Sequence, residues 1–227
     1  MEILAIIPAR GGSKGIPMKN LIKLNKKPLL EYSITSALNS KFITKTIVST
    51  DNKKIANYSK KLNAEVIIRP KKFATNTSKI EPVIEHSINF LKKNSNFIPD
   101  LIVLLQNTSP FRTSKHIDNA LKLYFQNSFD SILSVYASHS FFWKKVGSKY
   151  TAVNYDPQKR LNRQNFKDQF IENGAIYITK YSLFKKNKNR ISGKVGIFEM
   201  NENDSIDIDT TLDLLYAESI LKSKSKK

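Results

Sequence analysis

Residues 3–20 read ILAIIPARGGSKGIPMKN. The first five are apolar without a break, which suits a strand buried on both faces of a sheet. The loop that follows holds Gly11, Gly12 and Gly15, three of the seven glycines in the chain, with Arg10, Ser13, Lys14 and Lys19 among them. Glycine has no Cβ, so the backbone N–H groups of such a loop approach a ligand closely. A strand that runs into a cationic glycine loop and on toward a helix N-terminus suits a polyanion such as a nucleoside triphosphate. Two familiar phosphate loops are excluded by spacing. The P-loop needs G-x-x-x-x-G-K-[ST], whereas Ile16 follows Gly15, and the dinucleotide fingerprint G-x-G-x-x-G is absent. On glycine chemistry alone an ordinary turn stays open beside the phosphate reading.

Outward from this stretch, short β-rich runs alternate with helical patterns. Strands are expected at Ile3–Ile7, Thr46–Ser49, Glu65–Ile68, Leu101–Leu105, Ser131–Tyr136 and Ala175–Thr179. Helices are expected at Pro28–Asn39, Lys53–Leu62, Glu81–Lys92, Ser114–Phe125 and Thr211–Leu221. Pro28 and Pro82 suit first helical turns, Thr113 or Ser114 a cap, and Asp209 or Thr210 another. The alternation implies right-handed crossovers and a mainly parallel sheet covered on both faces, the α/β class. Ligands in such sheets bind outside the carboxyl ends of the strands. The glycine loop lies at one such end, and Gln106-Asn107-Thr108-Ser109 at another. The rhythm breaks from about Ala137 to residue 200, where aromatic and polar stretches predict a small inserted lobe within a single domain spanning 1–227.

Composition bounds the function classes. The chain has 227 residues, 40% of them hydrophobic, and no apolar run long enough to span a bilayer. No signal peptide is recognisable, so cytoplasm is the expected compartment. Cysteine is absent, which removes disulfides and thiolate metal sites. The net charge of +19 would suit a nucleic-acid partner, but 32 of the 38 basic residues are Lys, scattered among Asn. A nucleic-acid face would favour Arg for its bidentate contacts, so nucleic acid is not the expected partner.

The longer string IPARGGSKGIPMKNLIKLNKKPLLEYSI (7–34) resembles the opening of the acylneuraminate cytidylyltransferases, or CMP-sialic acid synthetases. Five further segments match in order: IVSTD (47–51), IIRP (67–70), LLQNTSPFRTSKHI (104–117), ENGAIYI (172–178) and DSIDIDTTLDLLYAE (204–218). The related 3-deoxy-manno-octulosonate enzymes open closer to ARxxSTRLPGKPL, so GGSKGIPMKN points to the sialic acid branch. The resemblance implies a three-layer, Rossmann-like nucleotide-diphosphosugar transferase fold, acting as a homodimer through the inserted lobe. It implies CTP and a nonulosonic acid as substrates, CMP-sugar and pyrophosphate as products, and Mg²⁺ as cofactor.

By the same resemblance, Arg10, Ser13, Lys14, Lys19 and Asn20 hold the nucleotide. Gln106, Asn173, Tyr177 and Arg163 meet the sugar acid, Lys19, Arg163 and Asp209 are catalytic, and Lys144 aligns loosely with a cationic position of the lobe. Asp207 and Asp209, in Ser-Ile-Asp-Ile-Asp, are the implied metal ligands. Residue chemistry agrees with this last point. In an extended segment the two carboxylates share one side, roughly 7 Å apart, while the two Ile face the core. Such a pair suits a hard cation, and seven of the 19 acidic residues lie between Glu199 and Glu218. Asp209 as a helix cap is the plainer reading, and it does not account for Asp207. Three departures concern the acceptor side: Asn76 in place of Asp, Arg190-Ile191 in place of paired aromatics, and Ile171 in place of Arg. They leave legionaminic or pseudaminic acid open beside N-acetylneuraminate. A noncatalytic nucleotide- or RNA-binding protein is the alternative from another class.

Overall fold

A computed structural model of the chain describes residues 1–13, 15–167 and 169–224. In chain order the elements are β1 (Ile3–Pro8), β2 (Lys23–Leu24), β3 (Lys27–Pro28), α1 (Leu29–Leu38), β4 (Lys45–Thr50), α2 (Lys53–Lys61), β5 (Glu65–Ile68) and α3 (Glu81–Ser95). They continue with β6 (Leu101–Leu104), α4 (Ser114–Gln126), β7 (Ser131–Ala137), β8 (Trp143–Val146), β9 (Lys149–Ala152), β10 (Phe170–Lys180), α5 (Tyr181–Asn187), β11 (Val195–Glu199) and α6 (Thr211–Lys224). Seven strands form one sheet in the order β11-β7-β10-β6-β1-β4-β5. β10 runs antiparallel to both β6 and β7, and the other neighbours are parallel.

The apolar run of β1 is explained by burial on both sides. Side chains alternate across a strand. Ile3, Ala5 and Ile7 share one core with Leu30 and Ile34 of α1, Ile55 of α2 and Leu121 of α4. Leu4 and Ile6 point the other way, into a core with Ile84, Ile88 and Leu91 of α3 and Phe184 of α5. The result is the expected three-layer α/β architecture. A third, smaller cluster buries Ile16, Leu24, Leu29, Phe111, Ile208, Leu214 and Ala217, and so joins both ends of the chain beside the sheet. Among the described residues no helix is long and apolar enough to cross a membrane.

Local chemistry sets the element ends. Asn52 caps α2 by accepting from the N–H groups of Lys54 and Ile55. Thr113 and His116 form a reciprocal cap on α4. At α6 the cap is Thr210, whose hydroxyl accepts from the Asp213 N–H while Asp213 accepts from the Thr210 N–H. Asp209 gives that site only its backbone N–H. Pro28 ends β3 at the N-cap of α1, one position earlier than expected. The glycine loop does not run straight into α1, because the β2–β3 hairpin intervenes, turning at Asn25 and Lys26 with φ of 46° and 68°. The first N–H of α1 donates to Ile22 O, just before the hairpin, so that group turns back to the chain leading into the hairpin.

Of the stretch expected to hold an inserted lobe, residues 138–169 leave the sheet and carry the β8–β9 hairpin, while β10, α5 and β11 rejoin the domain. β10 breaks register between Glu172 and Tyr177, where residues 173–176 bulge opposite Ser134. The two-sided core, which β1 shares with β6, leaves no face of β1 free for a smaller side chain. Ile6→Ala should lower unfolding free energy by about 2–5 kcal/mol, read as a fall in urea midpoint with an unchanged slope.

Candidate active site

Three loops meet outside the carboxyl ends of β1 and β6. The first is residues 9–22. The second, 105–113, follows β6. The third is the acidic segment 205–210 before α6. They bound a cleft of about 510 Å³ lined by Arg10, Ser13, Lys19, Asn20, Gln106 and Asp209, with Arg69, Asn107, Thr108 and residues 73–80 completing the wall.

Each loop is pinned by its own hydrogen bonds, several of them made by the residues that line the cleft. The Gly11 N–H donates to Asp51 Oδ1 at 2.9 Å. Asn20, buried, donates through Nδ2 to Arg10 O at 2.8 Å. Arg10 itself donates from Nη1 to Thr75 O at 2.7 Å, which joins the glycine loop to the wall between β5 and α3. Asn107 donates to Pro8 O at 3.0 Å and holds the β6 loop against β1. Ile208, buried, sends its N–H to Thr108 O at 2.8 Å. Gly15 packs so closely on the acidic segment that a Cβ there would stand 2.4 Å from the Asp209 carbonyl oxygen. Glycine is required at that position by the approach of a backbone.

The opposite charges therefore face each other across a small gap. Lys19 Nζ donates to Asp209 Oδ1 at 2.6 Å, with the carboxylate 68% exposed. Asp207 is exposed too, and it titrates above the usual carboxylate range. Crowding by surrounding protein is the main cause, and the like charge of Asp209 adds to it. A hydrogen bond from Thr108 and the Lys19 cation oppose the rise. Arg69 is buried at the cleft wall with its Nε unpartnered. Burial pulls its pKa down, and Arg10 adds to that while Asp51 opposes it. Asn107 Oδ1 is likewise buried without a partner at the cleft. Both groups are fixed polar atoms that a ligand would complete.

The carboxylate pair fits a hard divalent cation. Among the described residues no group of three or more His, Cys, Asp or Glu is arranged for a metal, so the carboxylates that would hold a cation here are Asp207 and Asp209. Mg²⁺ characteristically takes one or two carboxylates and completes its shell with phosphate and water.

The residues expected from sequence divide into two groups. Arg10, Ser13, Lys19, Asn20, Gln106 and Asp209 line one cleft, with Asp207 beside it. Lys14 lies outside the described residues. Arg163 sits in a short turn of the lobe, residues Arg163–Asn165, and its side chain is outside the described set. Lys144 is on β8, away from the cleft lining. Asn173 and Tyr177 differ from expectation. Asn173 is 4% exposed: its Oδ1 accepts from Ser134 and from the Ala175 N–H, and its Nδ2 donates to Ser205. It ties the β10 bulge to the acidic segment instead of presenting an amide to the cleft. Tyr177 is 3% exposed, donates its hydroxyl to Glu172, and lies under the Arg190 guanidinium at 4.8 Å. Burial and the Glu172 carboxylate push its pKa up.

Residues 73–80 and Asn107 join the same wall: the first carry Asn76, noted in sequence as an acceptor-side departure, and Asn107 belongs to the strand-end run Gln106–Ser109. Their specific contacts, Arg10 with Thr75 and Asn107 with Pro8 O, had no local signal.

A profile of the cytidylyltransferase family matches residues 4–225. The chain belongs to the cytidylyltransferase family. It is 32% identical over 228 residues to the N-acylneuraminate cytidylyltransferase of Escherichia coli O18:K1:H7, covering 99% of this chain and 53% of that protein. It is 34% identical to N-acylneuraminate cytidylyltransferase A of Danio rerio, over 96% of this chain and 50% of that one. The chain thus spans about half the length of these curated relatives. It is also 29% identical to the post-translational flagellin modification protein B of Campylobacter coli, over 99% of this chain and 97% of that one. Among solved structures, CMP:2-keto-3-deoxy-manno-octonic acid synthetase complexed with CTP superposes with a TM-score of 0.72 at 14% identity, covering 99% and 100% of the two chains. At that identity the likeness concerns the fold.

The burial of Asn173 has a measurable consequence. Asn173→Ala takes one partner from each of Ser134, Ser205 and the Ala175 N–H; the two serines keep bonds to Ile176 and Asn201, whereas the buried Ala175 N–H loses its side-chain acceptor, at a cost of about 1–3 kcal/mol. The variant should lose thermal stability, whereas an unchanged melting temperature would mean the side chain is not engaged as described.

Proposed function

We propose that the protein transfers CMP from CTP to the anomeric hydroxyl of a nonulosonic acid, releasing pyrophosphate, with Mg²⁺ as cofactor. The observation that carries this reading is the meeting of a cationic glycine loop with a carboxylate pair, joined by the 2.6 Å contact of Lys19 with Asp209. Nucleotidyl transfer depends on positioning and on neutralising phosphate charge, and these residues supply both.

In this reading Arg10, Ser13, Lys14, Lys19 and Asn20 hold the triphosphate and ribose. Arg69 and Asn107 offer their unpartnered atoms to the nucleotide. Asp207 and Asp209 hold the cation, which when bound supplies charge neutralisation on the phosphate oxygens. Lys19 exchanges Asp209 for phosphate as CTP enters. The anomeric oxygen attacks the α-phosphorus in line, its proton passes to solvent or a nearby base, and the bond to the β-phosphate oxygen breaks. Gln106 presents its amide to the acceptor at the cleft edge. Arg163, from the lobe, is proposed to meet the acceptor or the phosphates.

N-acetylneuraminate is the first acceptor proposed. Legionaminic or pseudaminic acid stands beside it as the alternative acceptor, since Arg190, over Tyr177 and paired with Glu81, lies in the segment where some members of the family carry paired aromatics. A homodimer is proposed through the lobe. Phe141 is consumed inside it, stacking on Tyr155 and Phe166, but Phe142, Trp143, Val146 and Tyr150 are exposed on its hairpin. Residues 138–169 carry seven basic and two acidic residues, a charge complementary to the acidic segment of a second copy. Cytoplasmic location is part of the same proposal.

The test is pyrophosphate release from CTP with a panel of sugar acids, read with product mass. Turnover should require Mg²⁺ and a nine-carbon N-acylated acid, and 3-deoxy-manno-octulosonate should be used poorly because its pocket partners would be left unpaired. Asp207→Ala should cut turnover roughly 1,000-fold, about 4 kcal/mol, with the melting temperature kept. CTP binding that weakens steeply with salt and never releases pyrophosphate would instead support a noncatalytic polyanion-binding protein.

A further inference from the structure

Arg112 is the largest fully buried side chain, 1% exposed, and its hydrogen bonds go to carbonyls and hydroxyls with no carboxylate among them. Nη1 donates to Gln106 O at 2.9 Å and to Ala175 O at 3.1 Å. Nη2 donates to Ser33 Oγ at 2.7 Å, and Nε lies 3.4 Å from Ser36 Oγ, both on α1. A buried cation without a counter-ion is costly, so simple space-filling would be met better by an apolar side chain. Burial lowers its pKa, yet the guanidinium starts high enough to stay protonated at neutral pH.

The location explains what the charge accomplishes. The β6–β10 ladder ends at the pair Leu104 and Tyr177. Beyond that pair Leu105 continues along β1, donating to Ile6 O, while residues 173–176 bulge away opposite Ser134. Arg112 spans the opening, so one nitrogen replaces ladder bonds that the diverging strands no longer make. A planar fork reaches two carbonyls and two hydroxyls at once, which an ammonium point charge does not. The Gln106 side chain closes the arrangement from above. It lies against Gly174, whose φ is +70° and where a Cβ would stand 2.5 Å from Gln106 Oε1. The carbonyl of Gln106 is thus fixed from below by Arg112, and its amide is set against the bulge that Arg112 also holds.

We infer that Arg112 is a positioning residue for the acceptor side of the cleft: it holds Gln106 and the β10 bulge at the separation that orients the Gln106 amide toward the sugar acid. This rests on the reading of Gln106 as an acceptor contact. The nucleotide side is anchored separately, through Asp51, Thr75 and Pro8 O, so disturbance of Arg112 reaches one substrate and spares the other.

The experiment is steady-state kinetics of Arg112→Lys, Gln106→Ala and the double variant, with KM measured separately for CTP and for the sugar acid that the wild-type protein uses, alongside thermal unfolding. Arg112→Lys should raise the acceptor KM about tenfold while the CTP KM stays within about twofold. The double variant should match Gln106→Ala, because misplacing an absent amide adds nothing. If Gln106→Ala impairs the acceptor and Arg112→Lys does not, or if both KM values rise in parallel, the positioning role is overturned. If Gln106→Ala leaves the acceptor KM unchanged, the reading of Gln106 fails and takes the inference with it. Should Arg112→Lys not fold, the milder Ser36→Ala, which takes a hydroxyl from the guanidinium and leaves the Ser33 bond to the Gln106 carbonyl in place, decides the matter by the same split.

Discussion

The approach of Gly15 to the Asp209 carbonyl, close enough to exclude a Cβ, is the contact on which the site depends. It joins two segments almost two hundred residues apart. The contact rests on apolar packing: Ile16, next to the glycine, and Ile208, next to the aspartate, are buried in one cluster with Leu24, Phe111 and Leu214. The charges above that cluster are consequently held at short range without relying on each other. An exposed Lys–Asp pair contributes little to stability by itself. Here the pair reports a geometry that hydrophobic packing has already set, so that geometry does not depend on Lys19 and Asp209 staying paired.

The sheet supplies the other half of the constraint. β1 and β6 are neighbours and parallel, so their loops emerge side by side at one edge. Burial of β1 on both faces fixes its register and hence the origin of the glycine loop. β10 breaks the parallel pattern, and its direction matters for the cleft. Running antiparallel beside β6, it brings the Asn173–Ile176 bulge to the same end as Gln106. Asn173 then reaches from the bulge to Ser205, at the start of the acidic segment. One buried amide thereby couples the acceptor edge to the proposed cation ligands.

Much of this was legible in the sequence. The continuous apolar runs at Ile3–Ile7 and Leu101–Leu104 marked strands buried on both faces, and the Ile-Asp-Ile-Asp alternation correctly separated buried Ile208 from exposed Asp207 and Asp209. Other features depend on partners distant in sequence. The direction of β10 has no local signature, since the same apolar alternation serves either pairing. β11 is short, with Gly196 against Phe129, and reads as a strand only once β7 lies beside it. Thr210 and Asp209 are equally good caps by composition, and the reciprocal bond with Asp213 decides between them. Asn173 and Tyr177 were placed at the sugar acid by the resemblance alone. In the structure Ser134 and Ser205, 39 and 32 residues away in sequence, engage the Asn173 amide, and Glu172, five residues from Tyr177, accepts from its hydroxyl.

The central claim is that Asp207 and Asp209 form half of a cation site that the triphosphate completes. Spin-resonance titration of Mn²⁺ against the protein, with and without CTP, tests it most directly. The account predicts weak Mn²⁺ binding alone, binding at least about tenfold tighter with CTP present, and loss of that gain in Asp207→Asn. Equal Mn²⁺ affinity with and without CTP in a protein that binds CTP, or a gain undiminished in Asp207→Asn, would contradict it.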